Sequence, residues 1–354
     1  MQHGHTIEYG QFPVGPRVLW DLNTSDQDVR MKYLLSLGLL LYVTHYFPVL
    51  AGELHSKSGK VTFTPQGDQK EVADRYKLGE YCFEYQLQPK MDLPVCGVQI
   101  YTLTYPSPVK SEHVQNNTVF AEYYRPDGPG PFPGVIVLDV LGGDQKLSRG
   151  ISTFFAQNGI AALFVQMAYY GPRRPPNGPK LLTPDVDHTM AAIRQTVLDC
   201  RCAAAWLESQ PEIDPKRLGM LGTSLGSFMT GLTTASESRL HRVALLLGGG
   251  GIVDSYWQHP KAKPYLPILS LIGKENLKKI VEPADPLTYA ENLKKHDLLI
   301  VAAKRDDVVP PEMAQKLWEA TGKQEIHWVD TTHVGAALYI LTILKPAVDH
   351  FKKP

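Results

Sequence analysis

Asp214-Pro215-Lys216-Arg217-Leu218-Gly219-Met220-Leu221-Gly222-Thr223-Ser224-Leu225-Gly226 holds the pattern on which the reading of the whole chain turns. Asp214-Pro215-Lys216 is a turn signal, Arg217 to Leu221 is a short apolar strand, and Ser227 to Ser236 is a run of small, helix-compatible residues. Between strand and helix stands Gly222-Thr223-Ser224-Leu225-Gly226, a G-x-S-x-G pentapeptide. A strand that turns abruptly into a helix at a serine presents the hydroxyl at the strand's C-terminal tip, and the glycines relieve crowding at that sharp turn. The helix N-terminus also leaves unpaired N–H groups near the oxygen. Ser224 is therefore the expected nucleophile.

A serine hydroxyl is a weak nucleophile at neutral pH and needs a base, which in turn needs an orienting acid. Leu298 to Ala303 is an apolar run of strand length, followed by Lys304-Arg305-Asp306-Asp307-Val308-Val309-Pro310. Glu325 to Val329 reads as a short strand, then come Asp330-Thr331-Thr332-His333 and an apolar helix from Val334. His333 thus falls on a loop after the last strand and after Ser224 in chain order, where a general base is expected. His188, His241, His259 and His327 lack that context. Asp306 and Asp307 compete for the acid. Successive residues on a turn point in different directions, so one of them reaches the imidazole, and Asp307 also reads as a solvated turn residue or the cap of a helix near Pro311.

The neighbourhood repeats a β–α order. Gly134 to Leu138 reads as a buried strand, followed by Asp139-Val140-Leu141-Gly142-Gly143-Asp144. Leu147, Ile151, Phe154 and Phe155 keep helical spacing up to Asn158-Gly159, and Ile160 to Gln166 is the next strand. Met190, Ile193, Val197, Cys200, Ala204 and Leu207 mark a long helix, and Val243 to Leu247 a further strand. Strands alternating with helices argue a mostly parallel sheet covered on both faces. Val98–Thr104 and Thr118–Tyr124 alternate polar and apolar residues, as antiparallel edge strands do.

From about Thr118 to Phe351 the chain resembles the α/β-hydrolase superfamily, nearest its dienelactone-hydrolase-like and acetyl-xylan-esterase-like branch. The residues that carry the likeness are Asp214 to Gly219 running into the Ser224 turn, Asp306-Asp307-Val308-Val309-Pro310, and His333. The family form Asp-x-Val-Val-Pro selects Asp306 as the acid. The resemblance implies an oxyanion hole made by the backbone N–H of Leu225 and one from the loop after Leu138, for which Leu141 is the expected donor. Many relatives carry His-Gly where this chain has Asp139-Val140. Dienelactone hydrolase itself uses cysteine at the turn, so Ser224 points toward ordinary carboxylic esters.

The chain has 354 residues, enough for one large core, with 36 lysines and arginines against 36 aspartates and glutamates. Zero net charge with no basic face argues against a nucleic-acid partner. No metal-ligand cluster and no dinucleotide fingerprint is legible, so neither a metal nor a cofactor is expected. Cys200 and Cys202 sit two apart on a helix and face different ways, whereas Cys82 and Cys96 remain open to pairing if the protein is exported. Read from Met31, the apolar stretch Tyr33 to Val43 followed by Ala51 resembles a signal peptide. His45 and Pro48 interrupt it too soon for a stable membrane span. Export to the periplasm or exterior is expected if translation starts at Met31, and a cytoplasmic protein otherwise. The expected organisation is an extension over 1–51, a lead-in with edge strands over 52–117 and a catalytic domain over 118–354.

These readings converge on a serine hydrolase of small acyl or acetyl esters, carbohydrate esters among them, that works through a Ser-His-Asp triad and an acyl-enzyme. Acyl transfer or thioester hydrolysis on the same residues is an alternative, and a catalytically silent binding protein on the same scaffold is another. Tyr169, Arg173 and Trp257, on loops near the expected active edge, are candidates for the substrate pocket, with loop packing as their other reading.

Overall fold

The computed structural model describes residues 54–354 apart from Gly143 and Gln258. The 1–51 extension, with its signal-peptide-like stretch, lies outside the described residues.

Ten strands follow in chain order: β1 (Lys57–Phe63), β2 (Tyr81–Leu93), β3 (Val98–Pro106), β4 (Thr118–Pro126), β5 (Phe132–Leu138), β6 (Ala161–Val165), β7 (Ile213–Thr223), β8 (Arg242–Leu246), β9 (Asp297–Ala303) and β10 (Glu325–Val329). The main helices are α1 (Lys146–Gln157), α2 (Val186–Glu208) and α3 (Leu225–Thr234). Shorter ones are α4 (Ile252–Tyr256), α5 (Leu266–Ile272), α6 (Lys274–Val281) and α7 (Ala290–Leu293), and the chain closes with α8 (Pro311–Ala320) and α9 (Ile340–Lys352).

The strands make one sheet in the order β1-β2-β3-β4-β6-β5-β7-β8-β9-β10. The first four pair antiparallel, as does β4 with β6, and every pairing from β6 to β10 is parallel. The side-chain alternation of a strand divides its residues between two cores. Ile136, Leu138, Leu163 and Met220 pack with α2 and α3 residues such as Val197, Trp206 and Met229. Val135, Val137, Phe164 and Leu246 pack on the other face with Ile151 and Phe155 of α1 and with Ile343 and Phe351 of α9. Burial on both faces is why these strands read as continuous apolar runs.

Residues 57–93, mixed and polar in sequence, supply β1 and β2 of the same sheet. Phe83, Tyr85 and Leu87 face the core and alternate with exposed Glu84, Gln86 and Gln88. Tyr85 and Tyr123 both meet Trp206 edge-on, at ring-centroid distances of 5.8 and 5.2 Å. The helix expected from Val334 begins later. Gly335–Tyr339 is a 3₁₀ turn leading into α9, because the Thr332 hydroxyl accepts the Gly335 N–H at 3.1 Å and holds the chain in a tight turn. All four cysteines are free, Cys82 and Cys96 exposed and Cys200 and Cys202 buried. Among the described residues no helix is long and apolar enough to cross a membrane.

Candidate active site

The parallel strands end together, so the loops after β5, β7, β9 and β10 gather at one edge of the sheet, where α/β folds place their ligands. Ser224 stands between β7 and α3 at φ 54°, ψ −117°. That backbone is sparsely populated for a residue with a side chain. It persists because its surroundings impose it. The Ser224 N–H donates to the Leu246 carbonyl at 2.8 Å, and the flanking glycines allow a backbone approach that no other residue permits. A Cβ on Gly222 would lie 2.1 Å from the Gly226 carbonyl oxygen, and one on Gly226 would lie 2.6 Å from that of Asp139.

His333 Nε2 lies 3.0 Å from Ser224 Oγ, and its Nδ1 lies 2.7 Å from Asp306 Oδ2. A carboxylate only accepts, so this contact places the proton on Nδ1 and leaves the Nε2 lone pair facing the serine. Asp306 is buried, and its Oδ1 accepts the N–H groups of Val308 and Val309 at 2.9 and 2.7 Å. Asp307, by contrast, is exposed. The Tyr256 hydroxyl donates to the Val308 carbonyl and ties this loop to α4.

Leu225 opens α3, so its N–H has no acceptor within the helix. Leu141 lines the same cavity as Ser224 and His333. Its loop is braced by a residue that sequence reasoning passed over. The Tyr170 hydroxyl accepts the Gly142 N–H at 3.0 Å and donates to the Val140 carbonyl at 3.3 Å, gripping the chain on both sides of Leu141. Nothing in the sequence near Tyr170 signals that contact, since the two segments are 28 residues apart. Asp139, at the head of this loop, is buried and accepts the Ser148 hydroxyl at 2.9 Å. Burial pushes its carboxyl above the ordinary 3.8, against the pull of that hydrogen bond.

The three expected pocket residues separate. Arg173 is fully buried and lines neither the cavity at Ser224 nor the one beside Tyr169. Its guanidinium pairs with Asp199 at 2.6 Å and donates to the carbonyls of Gln166 and Asn116, both at 2.9 Å. A charge with no access to water needs such partners, so Arg173 is a structural tie between the β6 loop and α2. Tyr169 lines a separate cavity of about 450 Å³ across Leu141, with Tyr170, Arg174 and Lys180. Trp257 is half-buried after α4 and does not line the cavity at Ser224. No cluster of three or more histidine, cysteine, aspartate or glutamate side chains able to hold a metal occurs among the described residues.

Residues 191–333, from α2 through Ser224 to His333, match the prolyl oligopeptidase family of peptidases. Two uncharacterized proteins from two strains of Mycobacterium tuberculosis are 26% identical over 184 residues, covering 50% of this chain and 43% of each relative. The chain thus spans less than half the length of these curated relatives. Acetyl xylan esterase 1 from Thermoanaerobacterium sp. superposes with a TM-score of 0.57 at 18% identity, over 74% of this chain and 87% of its own. An acetyl xylan esterase from Paenibacillus sp. R4 gives 0.58 at 17% identity, over 75% and 88%. An esterase from Pyrococcus furiosus gives 0.52 at 17% identity, over 75% and 96%. Identity this low speaks to fold alone, and the fold is that of the α/β-hydrolases.

Proposed function

We propose that the chain is a serine carboxylic-ester hydrolase with Ser224 as nucleophile, His333 as general base and Asp306 as the acid that orients the imidazole. The observation that carries the reading is the continuous path from Ser224 Oγ to His333 Nε2, at 3.0 Å, and from His333 Nδ1 to Asp306 Oδ2, at 2.7 Å. His333 takes the serine proton as Oγ attacks the ester carbonyl. The tetrahedral oxyanion is held by the N–H groups of Leu225 and Leu141, whose value lies in being fixed before charge develops. Asp306 stabilises the imidazolium, which then protonates the departing alcohol. Water activated by His333 attacks the acyl-enzyme, and Ser224 leaves as an alcohol.

The esterases that share the fold favour an ester as the bond cleaved, acetyl esters among them. The prolyl oligopeptidase match favours a second reading, peptide-bond cleavage on the same triad. Labelling with a fluorophosphonate, followed by parallel assay of p-nitrophenyl acetate and a panel of peptidyl p-nitroanilides, tests both. The ester reading expects Ser224-dependent labelling and ester turnover well above anilide turnover. Anilide turnover at or above the ester rate would replace it with the peptidase reading, and loss of both activities and the label would leave a silent scaffold.

A further inference from the structure

The cavity that opens onto Ser224 and His333 measures about 360 Å³. Among the described residues its polar side chains are those of Thr223, Ser224 and His333 alone. Its walls come from Leu147 on α1, Leu246 at the end of β8, Val308 beside the acid, Val334 after the base, and Ile340 and Ile343 on α9. Several of these are themselves packed into the core: Leu246 and Ile343 are buried, so that part of the wall is preformed. The apolar character continues to the mouth, where Leu141 and Val334 line the cavity while remaining 55% and 77% exposed.

A sugar or an amino-acid side chain carries hydroxyl or charged groups that must find hydrogen-bond partners when buried. This wall offers none beyond the catalytic pair and one threonine. A hydrocarbon chain needs no partners and gains from each methylene removed from water. At about 30 Å³ per water-sized group the cavity holds on the order of ten heavy atoms, far more than an acetyl group fills.

From this we infer that the substrate is an ester with a flexible apolar arm of about four to eight carbons, seated in this cavity. The inference rests on the ester-hydrolase reading and sets the chain apart from the acetyl xylan esterases that share its fold. The arm is recognised by area rather than by hydrogen bonds, so selectivity rises smoothly with chain length and stops when the cavity is full.

The test uses two ester series followed by acid release: methyl esters of acetic, butanoic, hexanoic and octanoic acids, and acetates of methyl, butyl, hexyl and octyl alcohols. In one series kcat/KM should rise by about fourfold per added methylene over the first members, and the series that rises identifies the acyl or the alcohol side as the arm. Ala337 lies on the exposed turn and lines the cavity. Ala337→Trp, and the milder Ala337→Leu, should lower the hexyl-to-shortest ratio in that series about tenfold or more and about threefold respectively. Flat or falling rates in both series, with methyl acetate still hydrolysed, would overturn the inference and leave the ester-hydrolase reading standing. A rising series whose ratio neither variant changes would overturn the assignment to this cavity. Loss of every ester activity together with the fluorophosphonate label would take both readings down.

Discussion

Asp306 and His333 are joined by a 2.7 Å hydrogen bond from Nδ1 to Oδ2, while the second carboxylate oxygen is engaged by two backbone N–H groups of its own loop. The division matters for a carboxamide at this position. In Asp306→Asn the amide oxygen stays on the Val308 and Val309 N–H groups, and the amide NH₂ is turned to the imidazole. Nδ1 must then accept, the proton moves to Nε2, and Nε2 can no longer take one from Ser224. We expect kcat/KM to fall by roughly 10²- to 10⁴-fold, with the urea midpoint little changed. Asp307→Asn, at an exposed site, should stay within about threefold of the parent. Reversed ranking of the two variants in a steady-state ester assay would remove Asp306 from its role.

Ser224 is held at φ 54° by the sharp turn from β7 into α3. Glycine adopts positive φ without steric cost, so Ser224→Gly should relieve strain and remove the proposed nucleophile together. The expected outcome is a gain of about 1 kcal/mol in unfolding free energy with kcat reduced about 10⁴-fold or more. Chemical denaturation beside an ester assay checks both halves. A variant less stable than the parent would show that the turn stores no strain.

Arg173 and Asp199 form an ion pair with no solvent exposure on either side chain, and the Ser107 hydroxyl donates to the same carboxylate at 2.6 Å. Removing one partner leaves the other charge buried and uncompensated. Arg173→Met should therefore cost about 3–5 kcal/mol of stability, and adding Asp199→Leu should recover part of it. If Arg173 instead bound a substrate carboxylate, stability would hold and KM would rise.

What the sequence discloses follows from how each group is buried. The parallel strands β5, β6, β8 and β9 are covered on both faces and so appear as apolar runs, whereas β10, at the sheet edge, shows at Glu325–Val329 as alternating polar and apolar residues. β2 is covered on one face, and its Phe83, Tyr85 and Leu87 are diluted by polar neighbours until the stretch reads as mixed. Ser224, His333 and Asp306 carry local context on their own loops. Arg173 carries none, because its partner Asp199 lies on another element and a paired, buried arginine looks in sequence like an exposed one. The apolar cavity is equally hidden, since its walls come from segments between Val140 and Ile343 that only the fold brings together.

Tyr170 grips the loop on both sides of Leu141 through one hydroxyl. Tyr170→Phe keeps the ring and removes both hydrogen bonds, so the Leu141 N–H, in its proposed role as oxyanion donor, is less well aimed. A donor matters most in the transition state, and the loss should appear in kcat, about 10-fold, with KM nearly unchanged. An equal fall in affinity, or no change in either constant, would show that the brace does not serve catalysis.

Asp139 sits at the base of the same loop, its carbonyl packed against Gly226 and its carboxyl buried. Burial raises its folded-state pKa above the ordinary 3.8, outweighing the Ser148 hydroxyl and the backbone N–H groups of Val140 and Gln145 that favour the charged form. The sign follows from proton linkage. A group that binds its proton more tightly when folded contributes stability that is fully present below 3.8 and is lost as pH rises through the raised value. Asp139→Asn carries no ionisable group there, so it is spared that loss. Urea midpoints of the two proteins, measured at about pH 4, 5.5 and 7, should move apart in favour of the asparagine variant as pH rises. Midpoints that stay parallel across the range would mean that Asp139 binds its proton no more tightly in the folded chain, and divergence in the opposite direction would mean that its hydrogen bonds outweigh burial.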